Sequence, residues 1–159
     1  MRKKDIESLR GVKVLGRYTG TLIHDHETAL YHFGTKHAEC NVHLCRYLRK
    51  NTEESGNLWS KEMEELFNEM NNCRKGKMKY TTSFSKEEIT SYESRFDLLL
   101  DKGHEENSHT KGKYAKDSEK TLLNRLKKYK LNHLLFLKDF NVAYDNNLSE
   151  REKETIFPF

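Results

Sequence analysis

Trp59-Ser-Lys-Glu-Met63-Glu-Glu-Leu66-Phe67-Asn-Glu-Met70 is the stretch that decides the fold. Trp59, Met63, Leu66, Phe67 and Met70 recur at helical spacing, so they share one face of an amphipathic α-helix. The same period extends outward in both directions. Upstream, Val42, Leu44, Cys45 and Leu48 form an apolar face, with Arg46, Arg49 and Lys50 on the other side. Downstream, Ser85-Lys-Glu-Glu88 is a capping box, in which the Ser hydroxyl and the Glu carboxylate satisfy each other's backbone amides. It opens a helix with Ile89, Tyr92, Phe96 and Leu99 inward and Gly103 as its expected stop. Residues 105–116 read as an exposed polar loop. A long helix over 117–139 follows, with Leu122, Leu126, Tyr129, His133, Phe136 and Phe140 on one stripe. Ridges of this kind make an α-helical bundle.

The ends of the chain read differently. Val12-Lys-Val-Leu15 and Thr21-Leu-Ile23 are β-branched apolar bursts separated by Gly16 and Gly20, the pattern of strand and loop. A short helix is predicted over 26–33, and His37-Ala-Glu-Cys40 reads as a brief buried strand. Near the other end, Asp145 to Asn147 supply a helix N-cap and put Glu150 in the first turn of a last helix. The fold class is therefore α+β, predominantly helical. Its expected parts are a strand-containing segment at 1–39, a helical block at 40–140 and a terminal segment at 141–159.

Composition limits the function classes. At 159 residues the chain fits one domain. Its 34% charged residues and mean hydropathy of -0.97 make it polar, and its 11% aromatic residues argue against wholesale disorder. A net charge of +4 permits a nucleic-acid partner without requiring one. No apolar run spans a bilayer, and no hydrophobic signal segment follows the charged start, so no membrane role is expected. Cys40, Cys45 and Cys73 form no disulfide framework, which points to a reduced, cytoplasmic protein.

Asp25 closes an apolar strand, where a carboxylate can project into a cleft, and Glu150 is borne on a helix. Both have ordinary alternatives, since Asp25 could cap the helix that starts at His26 and Glu150 suits a helix dipole. His24-Asp25 lacks the further His and Asp ligands of a His-Asp phosphohydrolase. His37, Cys40, His43 and Cys45 are soft ligands, but one compact cluster does not supply the two separated pairs of a structural zinc site. Zinc is therefore not expected. Cys40 fits a small buried residue and His43 a hydrogen-bonding residue at a helix start. Arg46, Lys111 and Lys113 are the favoured phosphate contacts. Lys116, Arg125, Lys127, Lys128 and Lys130 could track a phosphate backbone too, though the run from Lys127 to Lys130 reads better as a solvated face on which Tyr129 packs.

Four blocks taken together resemble the transposases of the sixty-six family of prokaryotic insertion sequences. They are Gly20-Thr-Leu-Ile-His-Asp25, Cys40-Asn-Val-His43-Leu-Cys-Arg46, Trp59-Ser-Lys-Glu-Met63 and Phe140-Asn-Val-Ala-Tyr-Asp-Asn-Asn-Leu-Ser-Glu150-Arg151. Their order matches the family over residues 12–151. The resemblance implies a ribonuclease-H-like core interrupted by a helical insertion and carrying an Asp-Asp-Glu triad. Asp25 would be the second Asp and Glu150 the Glu. Cys40 and His43 would form the Cys-x-x-His element that precedes the insertion, and Arg151 would join the DNA contacts. The implied cofactors are Mg2+ or Mn2+, hard ions suited to carboxylates, used in DNA cleavage and strand transfer at transposon ends.

The sequence departs from the family pattern at both ends. No strand ending in the triad's first Asp is evident, and Asp5 sits in a charged leader without strand pattern. Glu152-Lys-Glu-Thr-Ile-Phe-Pro-Phe stands where a basic tail is expected. The resulting expectation is a partial transposase core, inactive alone, with a full-length transposase as a candidate partner. The alternative is a non-catalytic helical module that interacts with DNA or protein.

Overall fold

Four amphipathic helices, each with one apolar stripe, can bury those stripes only by closing into a ring, and they do so here. The structure is a computed structural model, and it describes residues 21–24 and 36–145. Two short strands, β1 (Thr21–His24) and β2 (Lys36–Glu39), precede helices α1 (Asn41–Ser55), α2 (Leu58–Lys77), α3 (Lys86–Ser108) and α4 (Lys113–Lys128). Two single-turn helices follow, α5 (Lys130–His133) and α6 (Leu135–Lys138). In the ring, α1 packs on α2, α2 on α3, α3 on α4, and α4 back on α1. Leu44, Leu48, Trp59, Met63, Leu66, Phe67, Met70, Phe96, Leu123 and Leu126 fill the centre. The apolar residues of the deciding stretch, Trp59, Met63, Leu66, Phe67 and Met70, are all buried, as their spacing requires.

The short connections have local causes. Gly56 ends α1 with φ 71°, a left-handed conformation that glycine adopts without steric cost, and its N–H donates to Thr52 O at 2.9 Å. The capping box opens α3 as the sequence predicts: Glu88 N donates to Ser85 Oγ at 3.1 Å, and Ser85 N donates to Glu88 Oε1 at 3.2 Å. The first amides of α2 are satisfied from another helix, Leu58 N and Trp59 N donating to Glu106 Oε2 at 2.8 and 3.2 Å.

Several expectations are corrected. Gly103 does not stop α3, which runs on to Ser108. A Cβ at Gly103 would lie 2.5 Å from Leu123 Cδ2 and 2.9 Å from Trp59 Cδ2, so this glycine lets α2 and α4 approach α3. The inward residue near the end of that helix is Leu100, with Leu99 half-buried. The loop expected over 105–116 shrinks to 109–112, because α3 extends past it on one side and α4 starts at Lys113 on the other. The long helix expected over 117–139 ends at Lys128 and breaks at Tyr129 (φ -107°, ψ 23°) and Leu134 (φ -99°, ψ 5°). The apolar run explains the breaks. Leu134, Phe136 and Leu137 surround a helix rather than lining one face, and the turns let all three be buried.

The strands pair in parallel, with Ile23 opposite Ala38 and His24 opposite Glu39. Ile23 packs against the core, and β2 lies against α5. Ala38 and Cys40 are buried, in line with the brief buried strand expected there. The segments at 12–15, 26–33 and 146–150 lie outside the described residues. Among the described residues, no helix is long and apolar enough to cross a membrane.

Candidate functional site

Strand β1 and the 140–145 segment are both tied, through β2 and the first residue of α1, to one end of the bundle. Strand β1 ends at His24, directly before Asp25, and pairs with β2. Cys40 joins β2 to α1. The first amide of α1, Asn41 N, has no acceptor within its own helix, and it donates to Tyr144 O at 3.1 Å. Tyr144 lies in the segment that leads to Glu150.

That segment is anchored by polar groups reaching out of the helices. Arg74 Nη2 donates to Phe140 O at 2.8 Å and to Val142 O at 3.0 Å, and its guanidinium lies 5.9 Å from the Phe140 ring centre. Phe140 N donates to Thr82 O at 2.8 Å, and the Phe140 ring meets Phe84 edge-on at 5.2 Å. The Tyr144 ring meets Phe136 edge-on at 5.2 Å, with its hydroxyl 3.4 Å from Cys45 Sγ. Asn41 and His133 bond reciprocally, Asn41 Nδ2 donating to His133 O and His133 Nδ1 donating to Asn41 Oδ1, both at 3.0 Å. Acceptance by the amide oxygen fixes Nδ1 as a protonated nitrogen.

Asp25, Glu150 and Arg151 themselves lie outside the described residues. Arg46 is exposed on α1, one turn beyond Asn41, and lines a cavity of about 200 Å³ together with Val42, Cys45, Arg49, Asn68 and Tyr144. Arg49 is ion-paired with Glu64 at 3.3 Å. Lys111 and Lys113 are exposed, but at the other end of the bundle. Their neighbour Thr110 accepts from Asn57 Nδ2 at 2.8 Å, just past the end of α1. Arg46 and the two lysines are thus separated by most of the length of α1, about 14 Å of helix rise. Arg125 is no surface phosphate contact. Its side chain is 13% exposed, lies 3.6 Å from the buried Glu39 carboxylate and stacks over Tyr47 at 5.2 Å. Lys127 and Lys128 are solvated, whereas Lys130 is held by Asp97 at 2.9 Å.

Cys40 and His43 come together, with Sγ 3.1 Å from Nδ1. Cys45, one turn on, faces Tyr144 instead. Burial pushes its thiol up to about 11, so it is protonated at neutral pH and is neither thiolate nucleophile nor ready ligand. Among the described residues no group of three or more His, Cys, Asp or Glu side chains is placed to hold a metal ion.

One polar cluster was missed by the sequence reasoning. Glu119 on α4 is 0% exposed and takes hydrogen bonds from Asn51, Asn57, Trp59, Asn107 and Thr110. The signal existed. Asn51, Asn107 and Glu119 each continue the apolar stripe of their own helix, where a polar residue demands a partner.

No curated protein and no solved structure matches the chain. A family match does exist, and it covers residues 7–155, including all four blocks quoted above. The family is the Transposase IS66 family, and the chain belongs to it.

Proposed function

We propose that this chain supplies Asp25 and Glu150 to the metal-binding centre of a ribonuclease-H-like transposase, with α1 to α6 as the helical insertion between them. The boundaries 1–39, 40–140 and 141–159 then describe core, insertion and core again. The observation that carries this reading is the Asn41 N to Tyr144 O bond. Together with the β1–β2 pairing, it links the strand preceding Asp25 to the segment preceding Glu150, although 124 residues lie between the two acids. An insertion whose two ends meet can be accommodated without pulling a catalytic core apart.

The donor set suits Mg2+ or Mn2+, since both acids offer hard carboxylate oxygens. Bound there, such ions would activate the attacking oxygen and stabilise the leaving oxygen of a phosphodiester. The chain's own residues do the rest. The β1–β2 pair fixes the backbone entering Asp25, while Arg74, Asn41 and Phe136 fix the backbone entering Glu150. Arg46, beside Tyr144, neutralises a DNA phosphate near the cut, and Arg151 does so next to Glu150. Lys111 and Lys113 hold the duplex about 14 Å away, roughly four base pairs along the DNA. These 159 residues show two of the triad's three acids, so the chain by itself binds ions without nicking DNA.

Calorimetric titration with Mn2+ tests this reading. Binding that disappears in both Asp25→Asn and Glu150→Gln is the expected result. Absence of binding in the parent chain would instead favour the non-catalytic helical module. Magnesium-dependent nicking of a supercoiled plasmid, lost in Asp25→Asn, would overturn the two-acid account.

A further inference from the structure

The outer face of α2 and α3 has the opposite character to the rest of this basic chain. The two helices run antiparallel, and a groove between them holds a cavity of about 390 Å³ lined by Glu62, Glu65, Leu66, Glu69, Arg95, Leu98 and Leu99. It continues into a second cavity of about 350 Å³ that shares Glu69 and Arg95 and adds Glu87, Glu88 and Tyr92. Its floor is apolar. Leu98 is 68% exposed, and Leu58, one turn before Glu62 on the same side of α2, is 57% exposed. A singly exposed leucine is ordinary, but Leu98 in the groove beside half-buried Leu99 and Tyr92 makes a stripe, which Leu58 extends past the end of the cavity.

The rim is acidic. Arg95, Lys102 and Lys77 pair with Glu69, Glu62 and Glu88 respectively. Glu65 and Glu87 have no ion pair among the described residues, so the groove keeps a net negative charge on a chain whose formal charge is +4. Such a surface repels a phosphate backbone. It also lies away from α1, which carries Arg46. An exposed leucine stripe between carboxylates fits the apolar face and basic flanks of an amphipathic helix.

We propose that the α2–α3 groove docks a basic amphipathic helix of a partner protein, with Leu98 as the central apolar contact and Glu65 and Glu87 as the charge contacts. The span from Glu88 to Leu99 rises about 16 Å along α3, so the docked segment needs about three turns. Its apolar residues would fall at i, i+3 or i+4 and i+7, flanked by Lys or Arg. The proposal is independent of any metal site.

The test is fluorescence anisotropy of the full 159-residue chain with two labelled 14-residue amphipathic peptides, one of Leu and Lys and one of Leu and Glu. The Leu/Lys peptide is expected to bind and the Leu/Glu peptide not to bind. Leu98→Asp and the double variant Glu65→Lys/Glu87→Lys are each expected to weaken binding at least tenfold. All three side chains are exposed, and circular dichroism confirms that the variants remain folded. Two results would overturn the proposal: binding indifferent to Leu98→Asp, or equal binding of the two peptides. Sedimentation that shows the chain dimerising through this face, with the dimer lost in Leu98→Asp, would assign the groove to a second copy and overturn the partner chemistry.

Discussion

Replacing Glu119 by Gln removes a charge and almost no volume, yet it should cost this bundle about 3 kcal/mol. Oε2 accepts from Asn51 Nδ2 at 2.8 Å, Asn57 Nδ2 at 2.9 Å and Trp59 Nε1 at 2.9 Å. Oε1 accepts from Asn57 Nδ2 at 3.0 Å, Asn107 Nδ2 at 2.9 Å and Thr110 Oγ1 at 2.8 Å. The nitrogens of Asn51, Asn57, Trp59 and Asn107 can only donate here, so an amide NH2 in place of either oxygen points a donor at donors. Burial alone would raise the carboxyl's pKa, but the bonds from Asn51, Trp59, Asn107 and Asn57 outweigh it and bring the value from 4.5 down to about 2. At about 1.4 kcal/mol per unit, that depression stabilises the fold by about 3 kcal/mol. The sign follows from the direction. With the folded value depressed, the stabilisation is complete above about pH 5 and fades as pH falls toward 2. Urea denaturation of the parent and Glu119→Gln should therefore give a gap of about 3 kcal/mol at pH 7 that narrows to roughly half of that at pH 3. A gap under about 0.5 kcal/mol at pH 7, or one that does not change with pH, would refute the reasoning.

Two further outcomes follow from the packing. Gly103→Ala should lower stability by about 1–3 kcal/mol although alanine favours helices, because its methyl would meet Leu123 at 2.5 Å and Trp59 at 2.9 Å; a thermal scan showing a higher Tm would contradict the close-approach account. Arg74→Met should leave α2 helical but release the carbonyls of Phe140 and Val142, so amide exchange at Phe140, Val142 and Tyr144 should quicken by about tenfold or more; unchanged exchange there would show that the aromatic contacts alone hold the segment.

The period of Trp59, Met63, Leu66, Phe67 and Met70 was enough to predict a bundle, since burial of such a stripe is a local demand that tertiary packing satisfied. The capping box at Ser85 was equally legible, because all its partners lie within one turn. Gly103 was not. As a symbol in a sequence it marks a stop, and only the proximity of Trp59 and Leu123, dozens of residues away on one side, shows it as a contact. The run from Leu134 to Leu137 misled for a related reason. Helical period continued through Tyr129, and the fact that the apolar residues then occupied all sides was what broke the helix. At the candidate site, the blocks bearing Asp25 and Glu150 were legible as motifs. The bond that joins their flanks was not, because Asn41 N and Tyr144 O are backbone groups with no sequence signature. Arg125 was misjudged because a charge run looks solvated until its partner, here Glu39, is placed.

The polar groups of the interior divide this bundle into two ends with different roles. Glu119 and its donors gather α1, α2, α3 and α4 at the end where Gly56 and Gly112 turn the chain. Arg74, Asn41 and His133 gather α1, α2, α5 and the 140–145 segment at the opposite end. The length of α1, 15 residues or about 22 Å, separates the two. Damage to the first cluster should therefore appear as lost global stability, since it touches all four long helices. Damage to the second should appear locally, in the backbone that enters Glu150, since the apolar ring from Leu44 to Leu126 does not depend on it. Under the proposed function, an insertion organised in this way can be stable in its own right while a few replaceable hydrogen bonds position the 140–145 segment.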